Sequence, residues 1–332
     1  MNFLLSQNIN NLYHENEYMQ DYNGYIFIKE GNNILFEQSF GMADYAKMKK
    51  HDRDTVFCLA SITKQFTAMC VLMLDQWGLL SIDDCIGKYL SDFERSSHIK
   101  ICDILNMISG MPEYWNQQEW KEVDGITQEY VYNFIKTLED YKPVGERFQY
   151  SNSNYIVLGV LIEKVSGMKY GEFIQKYIFD PLDMKRSGLL PYSWDLDNIA
   201  IGYQSPRLGP PKNERKFMLS FFGAGNIYST VSDLCKWDDA LYTEKLINSD
   251  RLGQMFSPVL DDYGMGWYIQ GKKVSHGGDS PGFSTIIMRY TESKLLILMM
   301  CNTDGCEESN MCHYADLVEK CVVPFIIKDS LK

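Results

Sequence analysis

Val56-Phe57-Cys58-Leu59-Ala60-Ser61-Ile62-Thr63-Lys64-Gln65-Phe66 marks the point where an apolar, β-rich run gives way to a helical period. From Thr63 to Trp77 the side chains of Phe66, Met69, Cys70, Met73 and Leu74 fall on one face, and Gly78 stands where a helix should stop. Ser61 and Lys64 are three apart, so on a helix they share a face and Oγ comes within hydrogen-bonding reach of Nζ. A helix N-terminus there would offer free N–H groups and favour a developing alkoxide. A buried lysine can lose its proton near neutral pH and so activate a serine. Taken alone, Ser-x-x-Lys fits an N-capping serine and an exposed lysine better, so its weight depends on the rest of the chain.

Outward from this stretch the periods alternate. Tyr25 to Ile28 and Ile34 to Phe36 read as a hairpin with Gly31-Asn32-Asn33 as turn chemistry. Tyr263 to Ile269, Phe283 to Tyr290 and Leu295 to Cys301 read as three more strands. The last is apolar throughout, as befits a central strand covered on both faces. Between the strand groups, a helix is expected over Asn154 to Ser166, stopping at Gly167. Further helices are expected around Lys100 to Ser109, Thr127 to Leu138, Gly171 to Ile178 and Ser232 to Leu241, with another from Ser309 to Ile327. Gly202 to Arg215, with Pro206, Gly209, Pro210 and Pro211, reads as the clearest long loop. The expected architecture is α/β of the α+β kind: one antiparallel sheet built from N- and C-terminal segments and flanked by helices, with a helical domain inserted. Residues 1–60 and 223–332 would form the sheet subdomain and 61–222 the helical one, with a site in the cleft between the layers.

Two further motifs carry chemistry. Tyr150-Ser151-Asn152 precedes the second clear helix, and a Tyr and an Asn two apart in extended chain point the same way. A phenol can relay a proton and an amide can both donate and accept; equally, Ser151 or Asn152 would simply cap the helix. His276-Gly277-Gly278-Asp279 ends an expected strand, where glycines let a substrate backbone approach closely; equally, it would be a loop between two strands with a surface histidine. Tyr114 and Trp115, after the Ser109-Gly110 turn, either wall a cleft or pack into the core.

In this order along the chain the motifs resemble those of the serine β-lactamase and penicillin-binding-protein-like family, in particular its class C and esterase-like branch. Phe57 to Phe66 is similar to that family's nucleophile segment, Gly78 to Asp84 and Ile104 to Pro112 to its continuation, and Gly145 to Asn152 to its second motif. Ala224 to Thr230 resembles its next landmark, and His276-Gly277-Gly278 takes the place of a Lys-Thr-Gly triplet. The resemblance spans about Tyr25 to Asn302 and implies a β-lactamase/transpeptidase-like fold. It implies that Ser61 is the acylated nucleophile and Lys64 its base, and that Tyr150 shuttles the proton to the leaving group and later helps activate water. Asn152 would orient Lys64 and the substrate amide, and the backbone N–H groups of Ser61 and Asp279 would form the oxyanion hole. His276, Gly277, Gly278 and Asp279 would bind substrate. His276 is the main departure: with a reference pKa of about 6.5 it is a weak anchor for a carboxylate at neutral pH, so esters and uncharged amides suit the site better than penicillins. Asp279 beside the oxyanion hole further disfavours anions. No dedicated deacylating carboxylate is evident.

The expected activity is therefore cofactor-free hydrolysis of an ester, amide, peptide or β-lactam bond in a small-molecule or short-peptide substrate. The alternatives are a penicillin- or peptide-binding protein that acylates with little turnover, or a silent relative with a binding role. Over 332 residues Lys plus Arg is 32 and Asp plus Glu is 44, a formal net charge of −12, which gives no footprint for nucleic acid or an anionic membrane surface. No apolar run reaches membrane-spanning length, and Met1 to Ser6 lacks the form of a signal peptide, which points to the cytoplasm. Nine cysteines, an odd and scattered set, read as reduced thiols. Cys301, Cys306, Cys312 and His313 fit no common zinc spacing, so no metal is expected.

Overall fold

The computed structural model describes residues 2–93, 97–121, 123–190, 196–204, 219–304 and 311–330. Eleven strands are found among them: β1 (Gly24–Glu30), β2 (Asn33–Phe40), β3 (Phe57–Cys58), β4 (Gly188–Leu189), β5 (Tyr203–Gln204), β6 (Ile227–Ser229), β7 (Tyr268–Gln270), β8 (Lys273–Ser280), β9 (Phe283–Tyr290), β10 (Leu295–Cys301) and β11 (Thr303–Asp304). The helices are α1 (Asn2–Glu15), α2 (Thr63–Gln76), α3 (Ile101–Leu105), α4 (Gln128–Lys136), α5 (Asn152–Ser166), α6 (Tyr170–Ile174), α7 (Val231–Ala240), α8 (Ser249–Met255) and α9 (Met311–Ser330).

The main sheet is six-stranded and antiparallel, in the order β2-β1-β10-β9-β8-β7. Its closing pair joins the two ends of the chain, from Gly24 opposite Cys301 to Glu30 opposite Leu295. Every residue of β10 is buried, as a strand covered on both faces requires. One face carries Ile26, Ile28, Ile297 and Met299 against Leu5 and Ile9 of α1 and Val318 and Val322 of α9. The other face, with Phe27, Leu296 and Leu298, joins the larger core that includes Trp237 of α7 and the helices α2 and α5. Helix α2 is buried on all sides from Thr63 to Asp75, so it is a core helix rather than an amphipathic surface one. A small sheet, β3-β6-β4, pins the chain just before α2 to the segment after 219.

Several boundaries differ from those the sequence suggests. The strand expected over Tyr263 to Ile269 is reduced to Tyr268–Gln270. Gly266 sits at φ +83°, and a Cβ on Gly264 would lie 2.7 Å from the Met255 carbonyl oxygen, so this stretch folds back against the α8 terminus, and Tyr263 makes only isolated bridges, to Leu260 and Tyr268. The helix expected to Ser109 stops at Leu105 because Met107 turns left-handed (φ +58°). The segment Gly171 to Ile178 is α-helical from Tyr170 only to Ile174 and continues as a π-helical turn, Gln175–Phe179. Helix α5 ends at Gly167, which takes the left-handed C-terminal position (φ +71°). The N-terminal helix α1 was not expected, although Leu5, Ile9 and Leu12 have helical spacing. Of the loop read over Gly202 to Arg215, residues 205–215 lie outside the described residues, as do Cys306 and the expected start of the last helix at Ser309. Among the described residues no helix is long and apolar enough to cross a membrane, and no group of three or more His, Cys, Asp or Glu side chains is arranged to hold a metal.

Candidate active site

Ser61 stands on a short 3₁₀ turn, Ala60–Ile62, that leads into α2. Ala60 adopts φ +46°, a conformation that a residue with a Cβ adopts only when its surroundings hold it there. Three contacts do so. Leu59 N–H donates to Ile227 O (2.9 Å), Ile227 N–H donates to Thr63 Oγ1 (3.0 Å), and Thr285 Oγ1 on β9 donates to Leu59 O (3.1 Å). The nucleophile segment is therefore braced by β6 on one side and by the main sheet on the other.

One turn on, Lys64 is fully buried, and its Nζ donates to three oxygens: Ser61 Oγ (2.9 Å), Asn152 Oδ1 (2.7 Å) and Ala224 O (2.9 Å). Three acceptors match three ammonium protons. They do not offset the loss of water: burial lowers the Lys64 pKa to about 7, against the opposing pull of the Glu113 carboxylate. The proton balance of the Ser61–Lys64 pair thus lies near neutrality. The capping alternative for Ser61 and the exposed-lysine alternative for Lys64 both disappear.

Tyr150 and Asn152 both face the same cavity as Ser61. The Tyr150 ring lies 4.9 Å from Lys64 Nζ. Desolvation of its hydroxyl pushes the pKa well above 10, partly offset by a hydrogen bond with Ser61. Ser151 is extended and makes no side-chain cap; its Oγ donates to Pro112 O (3.1 Å) instead. Asn152 is the first residue of α5. Its Nδ2 donates to Glu113 Oε2 (3.0 Å), and its backbone N–H donates to the same oxygen (2.5 Å). Ser153 Oγ adds a bond to Pro112 O (2.7 Å), and Tyr114 N–H donates to Ser153 Oγ (3.0 Å). The loop 109–115 is thus clamped onto the N-terminus of α5.

His276 and its glycines lie within β8 rather than at its end, and the strand continues to Ser280 and a tight Pro281-Gly282 turn. β7 pairs with β8 only over Lys273 to Ser275, so the far edge of Gly277 to Ser280 is not paired to a strand. Gly278 presses against the nucleophile: a Cβ there would be 2.1 Å from Leu59 O and 2.9 Å from Ser61 N. His276 is buried, with Nδ1 donating to Gly277 O (2.6 Å) and Nε2 accepting from Tyr263 Oη (3.2 Å). The carbonyl can only accept, so the proton is on Nδ1. Burial first, and repulsion from Lys64 second, lower the His276 pKa to about 3, so the ring is neutral. The weak carboxylate anchor expected of His276 at neutral pH is weaker still, because both nitrogens are engaged and neither carries charge. Asp279 lies exposed at the rim, where Oδ1 accepts from Ser284 Oγ (2.5 Å).

Ser61, Tyr150, Asn152, His276, Gly277 and Asp279 line one cavity of about 400 Å³, while Lys64 and Gly278 lie just behind it. Trp115, Phe221 and Tyr268 supply its apolar wall. Of the two aromatic residues singled out above, Trp115 lines the cavity and Tyr114 is core. Among the described residues no Lys or Arg lines it. Sequence reasoning missed Glu113, Phe221 and Cys312. Glu113 had a signal, an acidic residue between Pro112 and two aromatics directly after a glycine turn. Burial raises its pKa to about 7, against the pull of the Asn152 N–H groups and Lys64.

A family model described as Beta-lactamase matches residues 16–318. Penicillin-binding protein 4* of Bacillus subtilis is 30% identical over 310 residues, which cover 85% of this chain and 68% of that protein. A teichoic acid D-alanine hydrolase of Staphylococcus aureus is 25% identical over 315 residues, covering 91% of this chain and 77% of that protein. The solved structure of D-amino acid amidase from Ochrobactrum anthropi SV3 superposes over 100% of both chains with a TM-score of 0.83 at 21% identity, a likeness of fold.

Proposed function

Since the chain belongs to the β-lactamase family of serine hydrolases, we propose that it hydrolyses a small ester or amide through an acyl-enzyme on Ser61. The observation that carries this is the buried Lys64, hydrogen-bonded to Ser61 Oγ with a pKa of about 7. In its neutral form Nζ has a lone pair for the Ser61 proton as Oγ attacks the carbonyl carbon. Tyr150, whose pKa is raised, stays protonated and passes a proton to the leaving group while Lys64 replenishes it. The division of labour is thus lysine as base and tyrosine as relay. The N–H groups of Ser61 and Asp279, on a helix start and a strand, would hold the oxyanion, each such donor contributing roughly 3–4 kcal/mol. Water then enters on the Tyr150 side and the same groups run in reverse to release the acid.

The aromatic wall, the neutral His276 and the Asp279 carboxylate favour an acyl group without a carboxylate of its own. A D-alanyl ester fits this description, the acyl group being small and its free ammonium suited to the acidic rim, and the name of the staphylococcal relative, a teichoic acid D-alanine hydrolase, supports a D-alanyl group. The name of the Bacillus relative supports a second reading, acylation by penicillin with little turnover.

Intact-protein mass spectrometry during reaction with a short-chain aryl ester, and in parallel with penicillin G, separates these readings. Ester turnover that is lost in Ser61→Ala is the expected result. A stable penicillin adduct without product would establish the second reading, and no Ser61-dependent product or adduct from either compound would refute both.

A further inference from the structure

The Lys64 ammonium can only donate, and the ionised Glu113 carboxylate can only accept. Those two facts orient the Asn152 amide: Oδ1 faces Lys64 (2.7 Å) and Nδ2 faces Glu113 (3.0 Å). The same Glu113 oxygen takes the Asn152 backbone N–H (2.5 Å), so one carboxylate holds both ends of the residue that holds Lys64. Glu113 itself cannot drift, because its neighbours Pro112 and Tyr114 are bonded to Ser153 on α5.

Building on the hydrolase reading above, we propose that Glu113 is a positioning residue: it fixes the Asn152 amide toward Lys64 and places behind it a negative charge that holds the lysine's proton.

The charge is felt because little else competes. The groups facing Lys64 are Ser61 on its own segment, Tyr150 before α5, Asn152 and Tyr155 on α5, Ala224 O, and His276 on β8. The tyrosines and His276 are neutral at pH 7, as the cavity's burial dictates. Glu113 is the carboxylate whose attraction acts on Lys64, and Lys64 acts back on Glu113. The two share one desolvated region in which a proton on the lysine favours ionised Glu113, and loss of the carboxylate charge makes the lysine a weaker base. Asn152 is the bridge through which the pair is held at fixed separation.

Two substitutions separate charge from position. Glu113→Gln keeps an oxygen that can accept both Asn152 bonds and removes the charge. Glu113→Leu removes both. In Glu113→Gln the acid limb of kcat/KM for an uncharged ester is expected to move down by about one pH unit, the scale of a single charge acting across one side chain. Its kcat on the plateau should stay within a few-fold of wild type. Glu113→Leu should lose roughly 10²-fold in kcat, the scale of an ångström of misplacement. In parallel, ¹³C NMR of lysine-labelled protein, with Lys64→Arg for assignment, follows the Lys64 midpoint whether or not substrate turns over.

An acid limb and a Lys64 midpoint unmoved by Glu113→Gln would overturn the charge, and a Glu113→Leu protein that is as active as wild type would overturn the positioning. A midpoint that moves in a protein without Ser61-dependent turnover would refute the hydrolase reading and leave the Glu113–Lys64 pairing standing.

Discussion

Gly278→Ala tests the joint between strand and nucleophile most directly. The added Cβ would lie 2.1 Å from Leu59 O and 2.9 Å from Ser61 N, both backbone atoms that cannot rotate aside. A carbon and a carbonyl oxygen tolerate roughly 3.3 Å, so β8 must withdraw by about 1.2 Å. That movement opens the Thr285 bridge, whose Oγ1 reaches both Leu59 O (3.1 Å) and Gly278 O (3.3 Å). It also carries the Asp279 N–H out of line with the Ser61 N–H. Misplacing one oxyanion donor by an ångström costs about 10²–10³ in kcat, while the strain costs roughly 1–3 kcal/mol of stability. The assay is steady-state hydrolysis of a short-chain aryl ester, with thermal unfolding of the same samples. Gly277→Ala is the folding comparison, because its Cβ would meet nothing nearer than Thr285 O at 3.6 Å, and its Tm should stay close to wild type. A folded Gly278→Ala protein within three-fold of wild-type kcat would show that the β8 backbone does not hold the reacting carbonyl.

The remaining expectations concern protons. Because Lys64 acts as base only when neutral, kcat/KM should rise with pH through about 7; a profile flat from pH 5.5 to 8 would remove Lys64 from that role. Tyr150→Phe keeps the ring beside Nζ but removes the relay, so kcat should fall by roughly 10²–10⁴ with Tm little changed; an unchanged kcat would make the tyrosine packing only. His51 and His276 have pKa values lowered by burial to about 4 and about 3, so between those values and their unfolded value near 6.5 the unfolded chain binds more protons. Their contribution is complete above pH 6.5 and is lost as pH falls, at about 1.4 kcal/mol per unit for each histidine. Denaturant titrations from pH 7 to 4 should show this slope, and a His51→Gln, His276→Gln variant should lose most of it; equal slopes in the two proteins would contradict their neutral burial.

What the sequence showed and what it hid follow from the range of each interaction. Ser61 and Lys64 are one helical turn apart, and Tyr150 and Asn152 two residues apart, so their shared orientation is a local property. The apolar run Leu295 to Cys301 announced a doubly covered strand in the same way. Glu113 was hidden because its meaning depends on Asn152, 39 residues away, and a carboxylate beside aromatics has no periodicity to betray it. The neutral state of His276 was hidden for the same reason: it depends on Tyr263 and on burial by elements the local sequence does not name. The strand expected at Tyr263 failed because two glycines interrupt a pattern that hydrophobicity alone would continue.

The pairing of β1 with β10 also sets a timetable. Gly24 must wait for Cys301, 277 residues later, and at about 5–20 residues per second of synthesis that is roughly 14–55 s. Through that interval the inner edge of β1, with Tyr25 to Ile28 apolar, has no strand beside it, which is the condition under which an edge recruits another chain. β8, which completes the site beside Ser61, emerges only slightly earlier than β10. Ribosome-bound intermediates should therefore be inactive and chaperone-dependent, with activity appearing only after the last hairpins have closed the sheet.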